Sequence, residues 1–214
     1  MTVIVTDPRE QQRLIAERQA AGADKYDEVW EGDYVMAPIA DDEHQDIQAG
    51  LVMVFRLVVG VTGQGRVRAG VNVTDQQADW THNYRCPDVV VYLEGTSAEN
   101  RGSHWLGGPD FAVEILSPGD RTPEKLPFYA KVNVRELLVV DREPWSLQLY
   151  RLREGGLDLA GSATPGDARR RRDAAQRGPA PLIPPAARHA ATHNRGRAPR
   201  REPEVARLAG RRSA

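Results

Sequence analysis

Cysteine is almost missing from this 214-residue chain, which holds Cys86 alone. One cysteine excludes an intrachain disulfide framework, and without a Cys-x-x-Cys partner it excludes the common zinc-ribbon arrangements. The compartment this composition suits is the reducing cytoplasm. No unbroken apolar run reaches the ~18 residues that mark a membrane-spanning helix. No charged, apolar and small-residue leader opens the chain, so secretion is not expected. Aromatic residues make up only 6%. That is too few for the sugar-stacking platform of a carboxylate-pair glycosidase, an enzyme class the acidic residues would otherwise suggest. Lysine is sparse too: Lys25, Lys125 and Lys131 are the full set.

The formal net charge of −1 conceals a division. Residues 1–160 carry a net of −10, and residues 161–214 a net of +9. The length suits one domain of roughly 150 residues with an appendage. The last 54 residues hold 13 Arg, 13 Ala and 7 Pro, with no Lys, Phe, Tyr or Trp. Such a segment buries too little apolar surface to offset the entropy of ordering it, so a disordered tail is expected. It reads either as a basic nucleic-acid-binding tail or as codons of a GC-rich gene read in a shifted frame. The abrupt loss of lysine and aromatics at one point favours the second.

Residues 1–160 read as an α/β domain. Pro8–Ala21 predicts a helix stopped by Gly22. Tyr26–Met36 alternates polar and apolar residues around a Gly-Asp turn, as a hairpin does. Asp41–Val59 places Ile47, Leu51, Val54, Phe55 and Val58 at helical spacing behind an acidic start. Strands are expected over residues 66–73, 88–93, 110–116, 136–141 and 146–152, with a helix of about ten residues near Pro123–Val132. The pattern implies a central mixed sheet flanked by helices.

The segment from Gly108 to Pro118, GPDFAVEILSP, carries the most chemistry. Strand alternation sends Phe111, Val113 and Ile115 one way, and Asp110, Ala112, Glu114 and Leu116 the other. A carboxylate at Glu114, mid-strand among small and apolar neighbours, is costly unless a cation or donor compensates it. Asp88 stands at the mouth of a second apolar strand. Two carboxylates on neighbouring strands suit a hard divalent cation, Mg²⁺ or Mn²⁺. Lys125, near the start of the following helix, opposes the helix dipole; if that helix packs beside the Glu114 strand, its ammonium reaches the same place.

The runs PDVVVYL and GGPDFAVEILSPGDRTPEKLPFYAKVNVRELLVVDREPWSLQLYRL, with the earlier YDEVWEGDYVMAPIADDEHQ, resemble the Uma-two family of restriction-endonuclease-like proteins, within the PD-(D/E)XK nuclease superfamily. The resemblance covers about residues 24–153. It implies a restriction-endonuclease-like core over residues 1–160, ahead of the tail at 161–214, and a Mg²⁺-dependent phosphodiesterase site. Asp88 matches the acid of "PD" and Glu114 the acid of (D/E)XK, the pair that would hold the metal. Leu116 stands where the lysine two residues after that acid belongs, and Lys125 is the substitute supplied by the following helix. Glu28 and His44 match recurring polar positions and are candidate supporting or water-orienting groups. Asn133 stands where Gly is usual after the helix, and Asn also tolerates the left-handed conformation. The family's closing strands, due after Leu152, are expected to be replaced by the Arg-rich tail.

The function so implied is a metal-dependent endonuclease acting on nucleic acid, DNA ahead of RNA, with a homodimer left open. The alternative is a catalytically inactive nuclease fold that only binds nucleic acid or a protein partner. The acidic body argues against tight unaided DNA binding, since phosphate contacts supply most of that affinity. Other motifs fall away. His189 and His193 have the spacing of a zinc helix, but Ala190 replaces the glutamate it needs. Gly60, Gly63 and Gly65 lack dinucleotide-binding order, and Ser117 lacks the hydrolase elbow.

Overall fold

Local signals set the helices. In a computed structural model, which describes residues 2–169, helix α1 (Pro8–Ala21) starts where the Asp7 carboxylate accepts from the Arg9 and Glu10 amides. It ends at Gly22, whose φ of 65° lets the chain turn off without a Cβ clash. Helix α2 (Asp42–Phe55) is capped by Asp41, which accepts from the His44 amide. It runs on into a π-helical turn at Arg56–Gly60, the region the spacing predicts as a continuous helix. Helix α3 (Thr122–Lys131) has Pro123 in its first turn, where the missing N–H costs nothing. Asn133 follows at φ 63°, the left-handed position expected of it.

Among the described residues thirteen strands form around these helices. They are β1 (Val3–Val5), β2 (Glu28–Trp30), β3 (Asp33–Met36), β4 (Gly65–Ala69), β5 (Asn72–Thr74), β6 (Tyr84–Arg85) and β7 (Val89–Leu93), then β8 (Glu99–Asn100), β9 (His104–Leu106), β10 (Phe111–Ile115), β11 (Glu136–Arg142), β12 (Trp145–Arg153) and β13 (Gly156–Ala163). The expected single central sheet is two. One has seven strands in the order β1-β3-β2-β6-β5-β9-β8, and the other six, in the order β13-β12-β11-β10-β7-β4. The physical reason lies at Gly70. The run predicted as one strand over 66–73 breaks there, at φ 55°, so β4 joins one sheet and β5 the other.

In the six-stranded sheet β10 pairs antiparallel with β7 and parallel with β11. A parallel pair needs a crossover, and α3 supplies it. Both faces of this sheet are covered. Val113 and Ile115 pack with Val67, Val89 and Val91 under Ile47, Leu51 and Phe55 of α2. Ala112 lies on the opposite face with Phe128, Tyr129 and Val132. The predicted alternation along residues 111–116 is therefore present.

The expected replacement of the closing strands is corrected. β13 pairs antiparallel with β12 along its length, and regular pairing continues past Gly161 to Ala163. Its residues, GLDLAGSA, have low strand propensity, but an edge strand is held by its ladder rather than by its own side chains. The remaining tail, from residue 170, with its expected disorder and the His189/His193 spacing, lies outside the described residues. Among those residues no helix is long and apolar enough to cross a membrane.

Candidate active site

Five chain segments converge on one cavity of about 430 Å³, and Glu28, His44, Asp88, Glu114 and Lys125 all line it. β10 turns Glu114 towards α3, the face it shares with Ala112, and leaves it only 3% exposed. The register Val113↔Val89 brings Asp88, just before β7, alongside the end of β10. There its Oδ2 accepts from the Ile115 amide at 2.7 Å, while Oδ1 lies 3.2 Å from His44 Nε2. The Asp88 carbonyl accepts from the Gln48 side chain at 2.8 Å and from the Gly70 amide at 3.2 Å. Asp88 is thus clamped on both its backbone and one carboxylate oxygen.

Lys125 sits in the first turns of α3, and its Nζ lies 3.2 Å from both oxygens of Glu114. It also donates to Glu28 Oε1 at 3.0 Å. Glu28 comes from the other sheet, where its Oε1 accepts from the Cys86 amide at 2.9 Å and its Oε2 from Trp30 Nε1 at 2.6 Å. The Tyr129 hydroxyl donates to Glu114 Oε1. All five residues picked from the sequence are brought together.

The electrostatics follow from two carboxylates, Glu28 and Glu114, sharing one lysine with Asp88 nearby. Burial raises the Glu114 carboxyl above its usual range; Lys125 pulls it down, and Asp88 and Glu28 push it further up. Burial works to lower the Lys125 ammonium, but Glu114 and Glu28 outweigh it, so its pKa stands raised and the charge persists. Burial likewise opposes charge on His44, and the hydrogen bond and charge of Asp88 more than restore it. Its Nδ1 is buried with no partner. Burial, then the carboxylates, hold Tyr129 well above its ordinary pKa, which keeps it a donor. Burial raises the Cys86 thiol as well, so it is no thiolate nucleophile.

The donor set for a cation is two hard carboxylates. Among the described residues no group of three or more His, Cys, Asp or Glu side chains is arranged to hold a metal by itself. Mg²⁺, where one or two carboxylates hold it, completes its shell with waters and substrate phosphate. Sequence reasoning missed Tyr129 and Trp30. Each had a signal: Tyr129 is one turn after Lys125 on the same helix face, and Trp30 is two residues after Glu28 on the same strand face.

Comparison with known proteins bears on the fold and the family. No curated protein matches the chain in sequence. Among solved structures, one described as a putative nuclease belonging to DUF820, from Anabaena variabilis ATCC 29413, superposes with a TM-score of 0.52. The match covers 62% of this chain and 75% of that one at 20% identity, a likeness of fold. The model of the Uma2 family, described as "Putative restriction endonuclease", matches residues 13–178, most of the chain. The chain belongs to the Uma2 family.

Proposed function

We propose that this protein is a metal-dependent endonuclease that hydrolyses phosphodiester bonds in nucleic acid, DNA ahead of RNA. The observation that carries the reading is the Lys125 ammonium, 3.2 Å from both oxygens of Glu114 in a cavity that Asp88 also lines. Two acids and a lysine from separate segments are the parts phosphodiester hydrolysis needs: charge to hold a cation and a donor for the anionic transition state. The family's description as a restriction endonuclease supports the same reading.

Asp88 and Glu114 would hold Mg²⁺ or Mn²⁺, which when bound supplies a Lewis acid for the phosphate and lowers the pKa of a water. The chain's own residues do the rest. The Ile115 amide fixes one Asp88 oxygen and leaves the other towards His44 and the cavity. The Tyr129 hydroxyl fixes the rotamer of Glu114. Lys125, kept charged by Glu28 and Glu114, presents N–H donors where a non-bridging phosphate oxygen or the attacking water would sit. Glu28 holds that lysine from the opposite wall, and Trp30 Nε1 holds Glu28.

The test is nicking of supercoiled DNA, with RNA in parallel, in Mg²⁺, in Mn²⁺ and in chelator. Cleavage in either cation and none in chelator is expected. Cleavage that persists in chelator overturns the metal-dependent reading, and folded protein that cleaves neither substrate overturns the nuclease reading.

A further inference from the structure

The reactive groups lie deep. Glu28 and Glu114 are each 3% exposed, and Lys125 is 9% exposed. A cavity of about 430 Å³ falls at the low end of the ~300–1,000 Å³ typical of small-ligand pockets. It has room on the order of one nucleotide, a tighter fit for a stacked duplex than for an unpaired strand. Enzymes with recessed chemistry meet this constraint by taking unpaired strands or extruding a nucleotide.

The rim has the matching chemistry on one side. Lys25 is exposed, and its Nζ lies 5.0 Å from the centroid of the half-buried Tyr26 ring. Tyr26 is seated against Gly70, where a Cβ would come 2.5 Å from its Cε1. The ring is thus braced by backbone and covered by a flexible cation. Arg121 lies 5.8 Å from the Trp30 ring on the same cavity and is paired with exposed Glu124. Asp120, the acid between, is taken up by the Thr122 amide and hydroxyl. The adjoining groove is the reverse: it is lined by Asp41, Glu43, Asp141 and Glu143 against Arg142. The acidic side chains of that groove repel a phosphate backbone, whereas Lys25 and Arg121 on this cavity attract one.

We infer that the cavity takes a single strand of nucleic acid, with a base stacked on Tyr26 and its phosphates met by Lys25 and Arg121. This substrate class rests on the nuclease reading above. Stacking on an aromatic ring tolerates any base, so the site selects for strandedness rather than sequence.

The experiment uses the full chain with three probes of one sequence: single-stranded DNA, single-stranded RNA and a blunt DNA duplex. Cleavage in Mg²⁺ and binding in chelator are both measured, at a salt concentration that suppresses non-specific contacts. Single strands should be cleaved at least about tenfold faster than the duplex, and the DNA and RNA arms identify the sugar. Tyr26→Ala should raise the single-strand KM and Kd roughly tenfold with a smaller change in kcat, and Tyr26→Phe should restore both. Melting temperatures of the two variants separate lost stacking from lost packing on Gly70, and Lys25→Ala, exposed and unpacked, gives a second reading of the rim. Equal cleavage of duplex and single strand, or an unchanged single-strand KM in folded Tyr26→Ala protein, overturns the inference and leaves the nuclease reading standing. If nothing is cleaved, the nuclease reading fails and binding decides. Single-strand affinity lost in Tyr26→Ala and regained in Tyr26→Phe then upholds the inference, and affinity equal for duplex and single strand overturns it.

Discussion

Asp27 and Glu114 are both buried carboxylates, 2% and 3% exposed, yet their surroundings differ in kind. Asp27 has a guanidinium to itself: Arg18 donates to it at 2.5 and 2.7 Å, the Ala37 amide at 2.8 Å, and the Tyr34 hydroxyl completes the set. One charge meets one opposite charge: the Arg18 bonds tie α1 to the β2–β3 hairpin, and the Tyr34 and Ala37 bonds brace the hairpin itself. Glu114 instead shares Lys125 with Glu28, and Asp88 stands beside it on the same cavity. A saturated carboxylate is a fastener. An under-compensated cluster lining a cavity has negative charge to spare, which is what the proposed cation would meet.

That contrast predicts which property each residue controls. Glu114→Gln keeps volume and a hydrogen-bond acceptor but removes the charge, so cleavage should fall by roughly 10²–10³ or more. Its melting temperature should hold or rise, since like charges near one another disfavour the ionised forms. Nicking rates and calorimetry on the same preparation check both; a large loss of stability with little loss of activity would erase the distinction. Asp27→Ala should do the opposite. It strips partners from Arg18 and Tyr34 and should cost about 3 kcal/mol, the low end for breaking a buried pair because Arg18 is partly exposed. Urea unfolding measures this, and activity per folded molecule should be nearly unchanged.

A third prediction sharpens the idea of a cluster lacking a cation. Mg²⁺ or Mn²⁺ at about a hundred times its Kd should stabilise the wild-type protein by about 2.7 kcal/mol. Neither Glu114→Gln nor Asp88→Asn should respond, and chelator should abolish the shift. The smallest effect belongs to an exposed carboxylate. Hydrogen bonds from Arg142, then from the His44 amide, lower the Asp41 pKa to about 2. A depressed carboxylate contributes stability above its unfolded value near 3.8, and that contribution is lost as the pH falls through about 2. Asp41→Asn should therefore melt slightly lower than wild type at neutral pH, and the gap should close only below about pH 4. A gap that widened in acid would reverse the assignment.

Much of this was readable from local chemistry. Gly22 ends α1 as expected, because that signal acts within a few residues. The alternation at 111–116 emerged because β10 is covered on both faces. The proximity of Asp88 and Glu114 came through the family resemblance rather than through spacing. Lys125 illustrates the limit: its place beside Glu114 depends on how α3 crosses between β10 and β11, which no window of sequence states. The seven-stranded sheet was invisible for a different reason. β6 and β8 have two residues each, and β9 three, too short for any period to register. Tyr129 drew no reading from the sequence, because a tyrosine on a core-facing helix looks like packing until its hydroxyl finds Glu114.

The bridge from Glu28 through Lys125 to Glu114 also bears on the order in which the molecule is made. Glu28 belongs to the seven-stranded sheet, Glu114 to the six-stranded one, and Lys125 to the helix between two strands of the latter. A chain emerging during synthesis presents Glu28 some 97 residues before Lys125 exists to meet it. Until the two sheets dock, each holds an incomplete set of groups with no enclosing walls. The cavity therefore exists only once the two sheets have docked, and a nascent or partly unfolded chain lacks the assembled set of groups.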